Sequence, residues 1–169
     1  MSMTQVILGI DPGLLRTGWG VVACTGARIA WLGHGVVRPP AGAPLADRLG
    51  FLTAGLQEVI SEFAPVEAAV EEVFMAKNAQ SALLLGHARG AALALLSVHG
   101  VRVSEYATRR IKKALVGTGG AEKEQVAFMV RRLLPQAGAV SADAADALAA
   151  AICHAGERRS PAFAMQAQA

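Results

Sequence analysis

The first forty residues alternate short apolar runs with turn residues, which is the pattern of a β-sheet. Strands are predicted over Gln5–Ile10, Thr17–Cys24 and Arg28–Val37. The first strand stops at Asp11-Pro12-Gly13, and Pro39-Pro40 follows the third. Because the connections between them are short, we expect these strands to form an antiparallel meander.

Further along the chain the apolar period lengthens to that of helices. Long helices are predicted over Ala43–Phe63 and Ala79–His99, with strands over Val66–Val73 and Val101–Tyr106. Three more helices are predicted, over Thr108–Val116, Ala121–Leu134 and Ser141–His154. A strand–helix–strand crossover favours parallel pairing. The pattern therefore predicts an α/β fold, with a five-stranded mixed sheet that carries helices on both faces.

The 169 residues fit one domain, and 53% hydrophobic residues can supply its core. We expect a folded domain over residues 1–155 and a mobile, Pro/Gln/Ala-rich tail over residues 156–169. The longest stretch without a charged residue, Gly90–Val101, is twelve residues, whereas a membrane span needs about 20. Cys24 and Cys153 give no disulfide framework. With no secretory signal at the N-terminus, the sequence predicts a reduced cytoplasmic protein without a membrane span.

Charge is distributed unevenly along the chain. The formal net charge is only +3, but residues 100–135 carry eight basic and three acidic side chains. This segment therefore has a net charge of +5 and the rest of the chain −2. Such a segment can be a solvated helical face or a surface that contacts phosphates.

Several acidic residues occupy positions where acids are costly unless they are paired or bind metal. Asp11 ends an apolar strand, Glu71 and Glu72 follow apolar residues in the fourth strand, and Asp143 and Asp146 lie three apart on the last helix. Because side chains alternate along a strand, only one of the two glutamates can share a face with Asp11. If the two strands are neighbours and the last helix crosses them, three or four carboxylates meet.

Carboxylates and water are the ligands that Mg²⁺ and Mn²⁺ prefer, and no His/Cys set has zinc spacing. Two such ions can activate water and stabilise the leaving oxygen of a phosphodiester. Each acid also has a structural interpretation, namely a turn cap for Asp11, a helix N-terminal charge for Asp143 and an ion pair for Glu71. The same acids could also hold Mg²⁺ beneath a nucleotide.

At these residues the sequence resembles RuvC-type Holliday-junction resolvases, from Val6 to His154. Ile7–Gly13 with the following Thr17-Gly18 resembles the family's first strand and turn. Val70–Asn78, Gly119–Lys123 and Ala142–Ala149 resemble the other three motifs of the family. The first motif occurs in other ribonuclease H-like and actin-like folds, whereas the second and fourth together are specific.

The resemblance implies a ribonuclease H-like fold and a homodimer that cuts four-way junction DNA in recombination and repair. It implies Mg²⁺, two ions at each site with Mn²⁺ as a substitute, and 5′-phosphate and 3′-hydroxyl ends. The implied partners are the branch-migration proteins RuvA and RuvB. Alternatives are another ribonuclease H-like nuclease acting on structured RNA or other branched DNA, an actin-like phosphotransferase or ATPase, and a non-catalytic junction-binding protein.

The resemblance also assigns roles to individual residues. It implies metal binding and catalysis at Asp11, Glu71, Asp143 and Asp146, so that Glu71 rather than Glu72 faces the site. Lys123 would also be catalytic, offsetting charge on the phosphate. The DNA contacts that it implies are Phe74, Lys77, Arg89, Arg109, Arg110, Lys112 and Lys123.

Two segments are left open by the sequence. The loop after the first motif reads Leu14-Leu15-Arg16, where the family tends to have a small polar residue and an Arg one position earlier, so the sequence leaves a DNA role for Arg16 open. The helix Ala79–His99 is apolar on more than one side. It is a candidate for the dimer contact, or for burial between the sheet and other helices.

Overall fold

A computed structural model describes residues 3–72 and 78–159. The strands are β1 Gln5–Asp11, β2 Thr17–Thr25, β3 Arg28–Val37, β4 Glu67–Glu72 and β5 Arg102–Ala107. The helices are α1 Leu45–Phe63, α2 Ala79–Val98, α3 Thr108–Val116, α4 Lys123–Leu133 and α5 Ala142–Glu157, with a short helical turn at Pro135–Ala137 between the last two. This order of elements is the predicted one.

The strands form one sheet in the order β3-β2-β1-β4-β5. β1, β2 and β3 pair antiparallel, as the predicted meander requires, whereas β4 pairs parallel to both β1 and β5. The prediction of a five-stranded mixed sheet is therefore confirmed. In the parallel pair at the centre, Ile10 of β1 lies opposite Val70 of β4.

Each face of the sheet is covered by its own hydrophobic core. Leu8, Ile10 and Val70 belong to the core beneath α1 and α2. Ile7 and Ala69, the alternate positions of the same strands, belong to the core beneath α3, α4 and α5. The helices therefore lie on both faces, as predicted, and strand alternation decides which side each residue serves.

Helix α5 lies unusually close to the sheet because glycines face it. A Cβ atom at Gly9 would lie 1.9 Å from the carbonyl oxygen of Ala147, and one at Gly18 would lie 2.0 Å from that of Asp143. At Gly20 the same atom would meet Leu148 at 2.5 Å. The absence of side chains on β1 and β2 thus lets the α5 backbone rest directly on the strands.

Helix α2 is less buried than α1, although most of its residues are apolar. Only Ala88, Ala92 and Leu96 are buried, while Leu83 and Val98 are exposed. By length and composition α2 could also cross a membrane. The sequence analysis did not predict this, because the longest stretch without a charged residue is twelve residues. Because α2 packs against α1 and β5, it is explained as a helix of this domain without a membrane.

The last helix extends further than the sequence predicts. The predicted helix ends at His154, whereas α5 continues to Glu157. The extra turn is held by side chains, because Arg110 binds Glu157 and Arg158 binds Glu67. Residues 160–169 of the predicted tail lie outside the described residues.

Candidate active site

Asp11 and Glu71 lie side by side at the centre of the sheet. They occupy the ends of parallel neighbours, one position beyond the opposed pair Ile10 and Val70. By strand alternation, both side chains point to the same face of the sheet as Ala69, which faces the core under α5. Glu72 points to the α2 side of the sheet by the same alternation, although it reaches the rim of the cleft.

Helix α5 brings the other two acids to the same end of the sheet. The Ser141 hydroxyl caps α5 by accepting from the backbone N–H of Ala144, as predicted, and this fixes where the helix begins. Gly18, which pairs with Asp11 across β1 and β2, contacts the Asp143 backbone. The first turn of α5 therefore lies beside Asp11.

The acids open into a cleft of about 590 Å³. Its polar lining consists of Asp11, Glu71, Glu72, Thr108, Arg109, Lys123 and Asp146. Asp143 instead lines a neighbouring cavity, where Arg16 lies 3.6 Å from its carboxylate. The structure thus brings three of the four predicted acids into one cleft and places the fourth on the wall next to it.

Burial and neighbouring negative charges make Asp11 a much weaker acid than a solvent-exposed aspartate. Burial, together with the nearby carboxylates of Glu71, Asp146 and Asp143, raises the pKa of Asp11 from 3.8 to about 8. Burial also raises the pKa of Glu71. Like charges held this closely need a proton or a cation between them.

Two neighbours partly offset this crowding. Thr108 begins α3, and its hydroxyl donates to Glu71 Oε1 at 2.5 Å, which favours the ionised carboxylate. Lys123 begins α4, and its Nζ lies 3.3 Å from Asp146 Oδ2. Asp146 raises the pKa of Lys123, so this side chain carries its full charge inside the cleft.

The donor set suits hard divalent cations, although it is not preassembled. Within residues 3–72 and 78–159, no three His, Cys, Asp or Glu side chains are already arranged around a common point as metal ligands. Lys123 and Arg16 instead hold Asp146 and Asp143, respectively, by ion pairs. The oxygen-only donors and the crowding of carboxylates around Asp11 fit a hard divalent cation.

The remaining predicted DNA contacts are scattered. Arg109 lines the cleft, and Lys112 borders a small cavity that it shares with Glu71 and Lys123. Arg110 binds Glu157 and lies 5.4 Å from the ring of Tyr106. Arg89 forms an ion pair with Glu105 and is thus engaged within the fold. Phe74 and Lys77 lie outside the described residues.

A buried polar network escaped the sequence analysis. Glu67, only 5% exposed, accepts from His154 at 2.8 Å and from Arg102 at 2.7 Å, and it also pairs with Arg158. Tyr106 contacts the other ring nitrogen of His154 at 2.7 Å. Burial opposes ionisation of Glu67, but the His154 bond and the two arginines outweigh burial and lower its pKa. An acid within a predicted buried strand was the available signal, as it was for Glu71.

Comparison with known proteins gives a consistent result. The family described as Crossover junction endodeoxyribonuclease RuvC matches residues 7–154. A protein of that name from Caulobacter vibrioides is 57% identical over 152 residues, which cover 90% of each chain. One from Maricaulis maris is 55% identical over 94% of this chain and 95% of the relative.

Solved structures agree in fold. T. thermophilus RuvC in complex with a Holliday junction substrate is 39% identical, with a TM-score of 0.85 over 92% of this chain and 95% of that one. The yeast mitochondrial Holliday junction resolvase Ydc2, at 12% identity and a TM-score of 0.64, shares the fold alone. The resemblance seen in the sequence motifs is confirmed, and the actin-like alternative is excluded. The chain belongs to the RuvC family of crossover junction endodeoxyribonucleases.

Proposed function

We propose that this chain resolves Holliday junctions by metal-dependent hydrolysis of phosphodiester bonds. The observation that carries the proposal is the meeting of Asp11, Glu71 and Asp146 with Lys123 in one open cleft. Membership of the RuvC family supports four-way junction DNA as the substrate. The products would be 5′-phosphate and 3′-hydroxyl ends, which are fit for ligation.

Asp11, Glu71, Asp143 and Asp146 would hold the metal, which we take to be Mg²⁺, two ions at each site, with Mn²⁺ as a substitute. When bound, such ions supply an activated water and charge neutralisation at the phosphodiester. The hydrogen bond from Thr108 favours the ionised form of Glu71 and fixes its carboxylate for this task. Lys123 would turn from Asp146 to the phosphate and offset the charge that develops there.

The basic side chains around the cleft would hold the DNA. Arg109 lines the cleft and Lys112 lies at its margin, and both would contact phosphates beside the cut. Arg110 would contribute only if it left Glu157, and Arg89 only if it left Glu105. For Phe74 we keep the proposal of base stacking, and for Lys77 that of a backbone contact.

A homodimer suits this activity, because two-fold symmetry would present one site to each of the two strands to be cut. The exposed apolar face of α2 supports this helix as the dimer contact. We place the protein in the cytoplasm, with the branch-migration proteins RuvA and RuvB as partners. A variant that is held as a monomer should cut one strand of the junction but not the second, and this result would support the dimer.

The proposal is tested by offering the protein a mobile four-way junction, a linear duplex of the same sequence and a hairpin RNA. With Mg²⁺ we expect paired, symmetric nicks in the junction alone, which ligase can seal. EDTA should stop the cutting, and Mn²⁺ should restore it. Equal cutting of all three substrates would contradict junction specificity, and preference for the hairpin would favour the alternative of an RNA nuclease.

A further inference from the structure

A second cavity opens beside the active site, and of the four acids Asp143 lines it. It measures about 380 Å³ and lies between the loop that follows β1 and the first turns of α1, α2 and α5. We call it the arginine cavity, defined by Arg16, Arg48, Ser81, Leu84, Leu85 and Asp143. Leu85 also lines the cleft of the acids, so the two spaces are neighbours.

The charged lining of the arginine cavity consists of two arginines and one carboxylate, that of Asp143. Arg48 donates from Nη2 to the carbonyl of Leu14 at 3.0 Å. Its Nε is buried, and among the described residues it has no hydrogen-bond partner. Arg16 is 61% exposed, and its ion pair within residues 3–72 and 78–159 is with Asp143 at 3.6 Å, a distance beyond an ordinary hydrogen bond.

Two further features favour an anion with an apolar part. The hydroxyl-bearing Ser81 lies in the first turn of α2, a 20-residue helix whose dipole is positive at this end. Leu84 and Leu85 supply an apolar wall, and the volume is within the range of small-ligand sites. A phosphate with its attached sugar combines these properties, whereas a purely apolar ligand would leave the arginines unmatched.

We propose that the arginine cavity holds one backbone phosphate of the junction strand, next to the scissile bond, with its deoxyribose against Leu84 and Leu85. Arg16 and Arg48 contact the same phosphate from two sides. The inference rests on the proposed function, because the ligand is part of the junction. It gives Arg16, whose role the sequence leaves open, a place in substrate binding.

The test measures binding of a fluorescent four-way junction in EDTA, where no cutting occurs, over a range of salt concentrations. Log affinity falls linearly as log salt rises, and each phosphate contact adds about 0.9 to the magnitude of this slope. We expect Arg16→Gln and Arg48→Gln each to lower that slope by about one, and the double variant to lower it no further. Arg48→Lys, which keeps the charge, should restore the slope.

Arg28→Gln is the matched control, because Arg28 is exposed at the β2–β3 turn, at the opposite end of β2 from Gly18. It should leave the slope unchanged. A scan of single methylphosphonates near the cut should find one position at which the wild type loses affinity and Arg48→Gln loses nothing more. Wild-type slopes in both arginine variants would overturn the inference, whereas failure of the wild type to cut junctions would overturn the proposed function instead.

Discussion

The carbonyl oxygen of Ala147 lies directly above Gly9, so close that a methyl group at Gly9 would come within 1.9 Å of it. Gly9 is two residues before Asp11, and Ala147 directly follows Asp146. This close backbone contact between α5 and the sheet is therefore adjacent to the acids. This contact sets how near the carboxylates of the helix can come to those of the strands.

Gly9→Ala should force α5 away from β1 and weaken both the fold and the site. Overpacking of this kind typically destabilises by about 1–3 kcal/mol. We expect a loss of that size in urea denaturation, together with weaker Mg²⁺ binding followed by calorimetry. Gly50→Ala is the control, because nothing lies within 4 Å of that position in α1, and it should stabilise the protein by about 0.5–1 kcal/mol. Unchanged Mg²⁺ affinity in Gly9→Ala would contradict this role for the contact.

Asp11→Asn should separate cutting from binding. Loss of a carboxylate ligand should slow cleavage by at least about 100-fold, while a gel-shift assay finds junction affinity nearly unchanged. Loss of binding together with cutting would contradict the role assigned to Asp11.

The same variant has a pH signature in metal-free protein. Because the pKa of Asp11 rises from 3.8 to about 8 on folding, the folded state holds a proton that the unfolded chain has lost between these values. The metal-free wild type therefore loses stability as the pH rises through this window. We expect Asp11→Asn to melt about 2–4 °C above the wild type at pH 8, or about 1 kcal/mol, and much less above it at pH 4. Equal gains at both pH values would show that Asp11 ionises normally.

Lys123→Ala should slow cleavage by about 100-fold if the ammonium group stabilises charge on the phosphate. Lys123 also lowers the pKa of Asp11, so its removal should raise that pKa further in the metal-free protein. Lys112→Ala should slow cleavage less, because Lys112 lies at the margin of the site. Lys113→Ala, an exposed change on the same helix, is the charge-matched control. Wild-type rates for both variants would remove these lysines from the site.

Thr108→Val removes the hydroxyl that donates to Glu71 while keeping the shape of the side chain. Loss of such a supporting bond typically costs about 10–100-fold in metal affinity or activity. We expect a loss near the lower end in single-turnover cleavage, with Thr108→Ser close to the wild type. A Ser variant as slow as the Val variant would indicate that packing, not the hydrogen bond, matters at this position.

Glu67→Gln should be among the most destabilising conservative changes, because it leaves Arg102 and Arg158 without their buried counterion. We expect a cost of about 1–3 kcal/mol, because the Arg102 side chain is 68% exposed and that of Arg158 20%, so water can solvate the charges left behind. The pKa of Glu67 is held below 4.5, so the difference from the wild type should be full above that pH and shrink as the wild type protonates below it. Urea titrations at pH 7 and pH 3 measure this change. Glu58→Gln, on the exposed face of α1, should stay within about 0.5 kcal/mol.

The elements were predictable because each obeys a local rule. The Ser141 cap, the turn at Asp11-Pro12-Gly13 and the apolar spacing of α1 depend on residues close in sequence. The ends were less predictable, because α5 extends to Glu157 through contacts with residues distant in the chain. Such contacts leave no periodic pattern at the helix end itself.

By itself, the sequence determined the order of the strands and helices and the acidic positions that we propose carry the chemistry, since both depend on residue type and spacing. Strand alternation left one choice open, between Glu71 and Glu72, which the pattern of a single strand cannot decide. Only the tertiary structure decided that Gly9 and Gly18 seat α5 on the strands, that Thr108 supports Glu71, and that Glu67 lies buried with His154. These are contacts between elements far apart in the chain, and they exist only once both faces of the sheet are covered.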